Sequence, residues 1–399
     1  MNKKLLFSVL AIAFAGTLSA QMVGTDAYLK GNYVELGIDG GGGFEGASTT
    51  ASPPPAGMHF RSGNPFFGFV SNPQMDGWVN YDGDFFTPGT PENGWGFEIG
   101  NTGGPAGRNN CAFLLEMPGT ITSWNYSAPT TTCDWEGDYM TGTNVHFKVS
   151  YTLNDNDLFY ITTISVTNNT AAPINDFYYF RNIDPDNNES ISADFTTQNT
   201  VVSQITMGGA NTTVSATQST PWTSDYELVA VDSNWIGGYG GFSNRDASDL
   251  YNLVSGFTGT VGSTNYADEA VFLAHKISVL SPGTTMTFKF ASVFDPSAVS
   301  AAISEMNGLT TGVPDVNADP VSIYPNPFTE STTISIDKSI QLKNASLHIY
   351  DVTGREISVV NNIADHQVKV EKNTLSAGAY IYRLINDGGI TGTGKLIVK

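Results

Sequence analysis

Asp184, Asp186 and Asn188 alternate along Asp184-Pro185-Asp186-Asn187-Asn188, and a turning backbone would aim all three side-chain oxygens to one side. Hard Ca2+ takes six to eight oxygen ligands, so this spacing marks the chain's best candidate for a metal site. The stretch begins like a D-x-D-x-N calcium loop and then departs from that pattern. Glu189 stands where an EF-hand needs Gly, no bidentate Glu follows at the right distance, and no helices flank the loop. Two readings stay open: a calcium loop outside the EF-hand type, and a solvated acidic turn closed by Pro185 and Asx hydrogen bonds. Asp82 and Asp84 form a second, weaker pair, and Arg181 is placed to compete with a metal for a carboxylate.

Other chemistries find less support. Gly41-Gly42-Gly43-Phe44-Glu45-Gly46 fits G-x-G-x-x-G, but no helix follows and no Gly-Lys-Ser/Thr is present, so it reads as a flexible turn. His59, His146 and His275 lie far apart with no H-E-x-x-H, which speaks against a zinc hydrolase. No G-x-S-x-G marks a serine nucleophile. Two carboxylates suffice for glycoside hydrolysis, but 38 acidic residues pick out no pair. Trp78, Trp95, Trp124, Trp135, Trp222 and Trp235 would stack on sugar rings where exposed and fill a core where buried. No catalytic or cofactor-binding residue is assigned.

The elements that position these groups read as β. Val145 to Thr152 puts apolar residues on one face and polar residues on the other, and Asn154-Asp155-Asn156-Asp157 turns the chain into a second strand, Leu158 to Thr167. Val271-Phe272-Leu273 and Met286 to Phe290 read as another pair, turned at Ser281-Pro282-Gly283. One helix is expected at Ser297 to Met306, with Asp295 capping it, Pro296 at its first position and Asn307-Gly308 ending it. The aromatic strand Asp176 to Ile183 runs straight into the acidic loop. With Thr197-Gln198-Asn199 after it, this segment resembles a Tyr-x-x-Arg-x-x-Asp-Pro-Asp and Thr-x-Asn block of large secreted bacterial β-proteins, some of them calcium-associated. The resemblance implies a large two-layered sandwich and no particular activity. Cys111 and Cys133 are the only cysteines, and in an oxidising compartment a disulfide between them is expected.

Near the end, Tyr324-Pro325-Asn326-Pro327 opens a run of short alternating strands with turns at Asp351 to Gly354 and Ser376 to Gly378, the pattern of a small Ig-like β-sandwich. Four ordered blocks resemble the type A C-terminal sorting domain of the type IX secretion system. They are carried by Tyr324, Pro325, Asn326 and Pro327, by Gly354 and Arg355, by Gly378 and Tyr380, and by Lys395 in the terminal Gly394 to Lys399. The resemblance covers about a fifth of the chain. It implies a Bacteroidota-type organism, export across the outer membrane, and the secretion machinery and its sorting protease as partners. It also implies removal of the module, with the cargo released or attached to surface lipopolysaccharide.

Lys3 and Lys4 precede an apolar run, Leu5 to Ala15, and small residues up to Ala20, the form of a secretory signal peptide that is too short to span a bilayer. The expected organisation is therefore a signal peptide at 1–20, a large β-rich cargo domain at 21–311, a linker at 312–320 and a sorting domain at 321–399. No other stretch is long and apolar enough for a membrane helix. A net charge of −20 argues against nucleic acid and anionic lipid as partners and is compatible with divalent cations. The sequence thus predicts an all-β protein, a large sandwich followed by a small one, at the cell surface or outside the cell. Its cargo reads as a binding or structural module, with Ca2+ and a surface glycan as candidate ligands and no enzymatic activity assigned. The alternative is a carbohydrate-active enzyme, a glycoside hydrolase or lyase.

Overall fold

Val145, Phe147, Val149, Tyr151 and Leu153 are all buried while their neighbours along the strand are half-exposed, so the period-two pattern becomes one packed face of a strand at Val145–Asn154. The computed structural model describes residues 20–399 apart from 62, 84–91, 101–103, 187, 243–244, 255, 309–320, 337, 339–340, 352–354, 373–374 and 387–388. Residues 1–19 of the expected signal peptide, the expected linker, Asp84 and Gly354 therefore lie outside the described residues. The chain divides into two compact units, one up to Thr311 and one from Gly312. Among the described residues, no helix is long and apolar enough to cross a membrane.

In the first unit a nine-stranded antiparallel sheet runs in the order Gly119–Ser127, Thr130–Tyr139, Val145–Asn154, Phe159–Asn168, Thr285–Val293, Ser224–Ala230, Thr212–Gln218, Thr197–Ser203, Thr264–Ala267. A six-stranded sheet runs Leu114–Leu115, Ala106–Asn110, Asn93–Ile99, Ile174–Ile183, Val271–Leu280, Trp235–Tyr239. A five-stranded sheet holds Ala20–Val23, Asp26–Lys30, Val34–Ile38, Phe69–Ser71 and Asp82–Gly83. All three contribute to one core, with Leu36, Trp95, Phe147, Tyr179 and Leu273 among its members. The expected hairpin is present, joining Val145–Asn154 to Phe159–Asn168. The second expected pair is not: Val271–Leu280 belongs to the six-stranded sheet and Thr285–Val293 to the nine-stranded one. The turn at Ser281 to Gly283 carries the chain from one sheet to the other, because both strands have better-matched partners elsewhere.

The expected helix splits into a 3-10 turn, Pro296–Ala298, and an α-helix, Val299–Met306, with the Asp295 side chain accepting from Ser297 N–H at 2.8 Å. Ala302 and Met306 cover Phe159, Ile161, Val229 and Val293 on the outer face of the nine-stranded sheet. A shorter helix, Ala247–Tyr251, covers Tyr178, Phe180 and Phe272 on the outer face of the six-stranded one. The strand Ile174–Ile183 is consequently buried on both faces, which is why its sequence shows an aromatic run without alternation.

Cys111 and Cys133 are buried, unpaired thiols, and the expected disulfide is not formed. Cys111 follows a strand of the six-stranded sheet and donates its backbone N–H to the Asn93 carbonyl, while Cys133 sits in the nine-stranded sheet in register with Trp124 and Tyr151. The two thiols enter the core from different layers. The Gly-rich segment is a core plug and not a flexible turn: the carbonyls of Gly40, Gly42 and Gly43 accept from the indoles of Trp135 and Trp95, from Asn109 and from the Tyr151 hydroxyl. Gly43 has φ +61°, and a Cβ there would lie 2.4 Å from the Trp135 ring, so only glycine fits.

The second unit pairs a three-stranded sheet, Val321–Tyr324, Ser331–Ile336 and Gln367–Glu371, with a four-stranded one, Glu356–Ile363, Ala345–Asp351, Gly378–Asn386 and Gly389–Val398. Ile334, Leu347, Ile349, Val370, Tyr382, Leu384 and Leu396 fill the core between them. This is the small sandwich expected from the alternation. Register shifts along Glu356–Ile363 place Val360, not Val359, opposite the buried Leu347.

Candidate metal centre in the crossover loops

Ile183 is the last residue of a central strand and pairs with Val271. Beyond it, residues 184–196 cross from the six-stranded sheet to the nine-stranded one, where Thr197 pairs with Ala267. Residues 268–270 make the opposite crossing, from Ala267 back to Val271. The two crossovers therefore meet at one end of the sandwich, pinned at both sides by paired residues. Asp184 and Asp186 lie on the first, Asp268 on the second, and a ligand oxygen from each lies within 4.8 Å of the others. Asp186 is buried, Asp184 is largely enclosed, and Asp268 stands exposed at the mouth.

Backbone hydrogen bonds fix the loop. Asp184 N–H donates to the Glu92 carbonyl at 2.8 Å, Asp186 N–H to the Asp184 carbonyl at 3.1 Å, and Glu189 N–H to the Asp186 carbonyl at 3.1 Å. The chain then closes a short helix, Glu189–Ser192, and Gln218 Nε2 donates to the Asp194 carbonyl at 2.5 Å. The carboxyls are packed against one another at a cost. Burial, then Asp268 and Glu92, push Asp184 well above the usual carboxylate range, and burial, Asp184 and Asp268 push Asp186 up to about 10. Asp186 is only 6% exposed, and its Oδ1 has no hydrogen-bond partner. An unpartnered carboxylate oxygen in an enclosed acidic cluster is a group shaped for a cation or a proton.

Of the three residues the sequence singled out, the fold brings Asp184 and Asp186 together. Asn188 is fully buried and neither atom of its side-chain amide has a hydrogen-bond partner, while the nearby Asp82 carboxyl accepts from the Trp222 indole. Asp82 is thus a buried carboxylate held by the Trp222 indole. Asp268 escaped the sequence reading because it lies far along the chain, and only strand register delivers it to the site.

The remaining candidates do not converge. His59 lies 3.1 Å from Glu35, His146 lies 2.9 Å from Asp138, and His275 lies 3.2 Å from Asp232, each with its own carboxylate. Trp95, Trp135 and Trp235 are core residues, while Trp124 is half-exposed. Glu45 and Arg181 pair with each other in the interior at 3.2 Å, so Arg181 does not compete for the acidic cluster.

In the second unit, Asn326 joins the segment after Tyr324 to the last strand. Its Nδ2 donates to the Lys395 carbonyl at 2.7 Å, and its Oδ1 accepts from Ile397 N–H at 2.8 Å. Arg355 donates through its backbone N–H and Nε to Asp351, both at 3.1 Å, and the Tyr380 hydroxyl donates to the Ser376 carbonyl at 3.0 Å. The sequence blocks are thus local fastenings of one small sandwich.

Residues 322–399 match the family described as the secretion system C-terminal sorting domain. The chain carries a type IX secretion sorting domain and is exported to the cell surface or the extracellular space. No curated protein matches the chain in sequence. Among solved structures it is similar to a polysaccharide lyase (11% identity, TM-score 0.33, covering 92% of this chain and 46% of that one). It is also similar to heparan sulfate lyase HepC from Pedobacter heparinus (8%, TM-score 0.26, 57% of this chain and 28% of that one). A third is a galactose mutarotase-like protein from Clostridium acetobutylicum (10%, TM-score 0.30, 69% of this chain and 97% of that one). The chain spans less than half the length of either lyase, and likenesses this distant carry no statement about activity.

Proposed function

We propose that the large unit is a binding or structural cargo of the cell surface whose crossover loops hold a Ca2+ ion. The observation that supports this most is the meeting of Asp184, Asp186 and Asp268 within 4.8 Å, with one buried carboxylate oxygen of Asp186 unpartnered. All the donors are hard oxygens, which favours Ca2+ or Mg2+ over Zn2+ or copper. Two irregular loops supply them, and Ca2+ accepts irregular carboxylate geometry where Mg2+ demands a near-ideal octahedron. An ion there would neutralise like charges at the point where two crossovers meet, and so would stabilise the sandwich end.

The test is thermal unfolding of the secreted chain from Gln21 onward, with and without EGTA, alongside Ca2+ titration by calorimetry. A ligand at a hundredfold its Kd stabilises by about 2.7 kcal/mol. For a unit of this size that corresponds to a Tm higher by about 3–5 °C. Asp186→Asn should remove both the heat of binding and the shift. A Tm indifferent to EGTA together with no heat of binding would overturn the reading.

A further inference from the structure

Resting on the cation reading above, we infer that the ion at Asp184, Asp186 and Asp268 is a bridge, coordinating two adjacent hydroxyls of a neutral sugar at the exposed mouth of the site. Coordination number is the first reason. Three side chains supply at least three ligand atoms, and Ca2+ takes six to eight, so positions remain for outside oxygens. Those positions also face the right way. Asp186 and Asp184 close the inner side, while Asp268 is exposed, so the open positions point outward.

Charge then selects the ligand class. Three carboxylates and one divalent ion leave a net negative charge at the site, on a chain whose net charge is −20. An acidic ligand such as a uronate would be repelled, whereas a neutral vicinal diol offers two hard oxygens without a charge penalty. The surround fits a sugar as well. Tyr266, 60% exposed, lies two residues before Asp268 on the edge strand that leads into the second crossover. An exposed aromatic ring on the strand that leads into the crossover suits the C–H face of a pyranose ring, with the cation holding its hydroxyls.

The experiment uses the secreted chain with neutral polysaccharides (mannan, galactan and dextran) and one acidic polysaccharide, polygalacturonate. Affinity electrophoresis is run in Ca2+ and in EGTA, with Ca2+ binding measured separately by calorimetry. The expected result is retention by at least one neutral polysaccharide in Ca2+, lost in EGTA. Tyr266→Ala should weaken retention about tenfold while leaving the Ca2+ isotherm unchanged. Asp268→Asn should weaken both. Ca2+ binding with no neutral polysaccharide retained, retention that persists in EGTA, or retention of polygalacturonate alone would each overturn the bridge and leave the cation site standing. Absence of Ca2+ binding would overturn the site reading and the bridge with it.

Discussion

Asn326 holds Ile397 as a neighbouring strand would: its side-chain amide accepts from Ile397 N–H at 2.8 Å and donates to the Lys395 carbonyl at 2.7 Å. One side chain thus pairs with two backbone groups of the terminal strand, and Phe328 continues the pattern by donating to the Ile397 carbonyl at 3.0 Å. Asn326→Ala removes both side-chain bonds where water can replace them, so the cost should be modest, about 1 kcal/mol. The expected readout is local. Exchange of the Ile397 amide should speed up about fivefold in hydrogen-exchange experiments on the whole chain, with the first unit unchanged. Unaltered protection at Ile397 would show that the latch contributes nothing.

Much of this fold was legible because alternation is the signature of a sheet with one packed face. Val145 to Leu153 and the runs after Ser331 show it directly, since one side of each strand is solvated. The strand Ile174–Ile183 hides it, because the Ala247–Tyr251 helix buries the second face as well. Sheet membership was less legible. Val271–Leu280 and Thr285–Val293 are neighbours in sequence, yet the turn between them changes layers, a choice made by cross-strand partners that no local pattern records. The site was half legible for the same reason. Asp184 and Asp186 share a loop, but Asp268 joins them only through the Thr197–Ala267 pair.

A second prediction concerns the interior. Arg181 and Glu45 are 2% and 1% exposed, and the Tyr160 hydroxyl donates to Glu45 Oε1 at 2.8 Å. Removing one member of a buried pair leaves the other charged and uncompensated, at a cost of about 3–5 kcal/mol. Glu45→Gln should therefore destabilise the first unit by roughly that amount in urea unfolding, and Tyr160→Phe by about 1.5–3 kcal/mol, since it leaves a buried charged oxygen without its donor. The double variant Glu45→Leu with Arg181→Met should recover most of the loss. Equal losses in the single and double variants would assign the effect to packing and not to charge.

The thiols give a third. Burial pushes Cys111 well above its usual range, and burial with the neighbouring Asp134 pushes Cys133 up to about 12. Neither should react with a thiol reagent in the folded chain at pH 8. After denaturation without reductant, both should label. A denatured, unreduced chain that takes up no label would restore the disulfide expected from composition and compartment.

Glu227 supplies a pH dependence with a definite sign. It is buried near the charges of Asp225 and Asp295, and its Oε2 has no hydrogen-bond partner. Burial first, and then those two carboxylates, push it up to about 7 from an ordinary value of 4.5. The folded chain therefore holds this proton between those two values while the unfolded chain has released it. Folding binds the extra proton, so the contribution of Glu227 to stability is greatest below about pH 4.5 and declines as pH rises towards 7. Each tenfold change in proton affinity is worth about 1.36 kcal/mol, so the full decline is on the order of 3 kcal/mol. Asp39, raised to about 6 by burial and by Asp26, bends the curve the same way, so the difference between two proteins is the informative quantity. Glu227→Gln should match the parent at pH 5 and exceed it by a few kcal/mol at pH 8 in urea unfolding. Parallel curves over that range would show that Glu227 is already ionised in the folded chain at neutral pH.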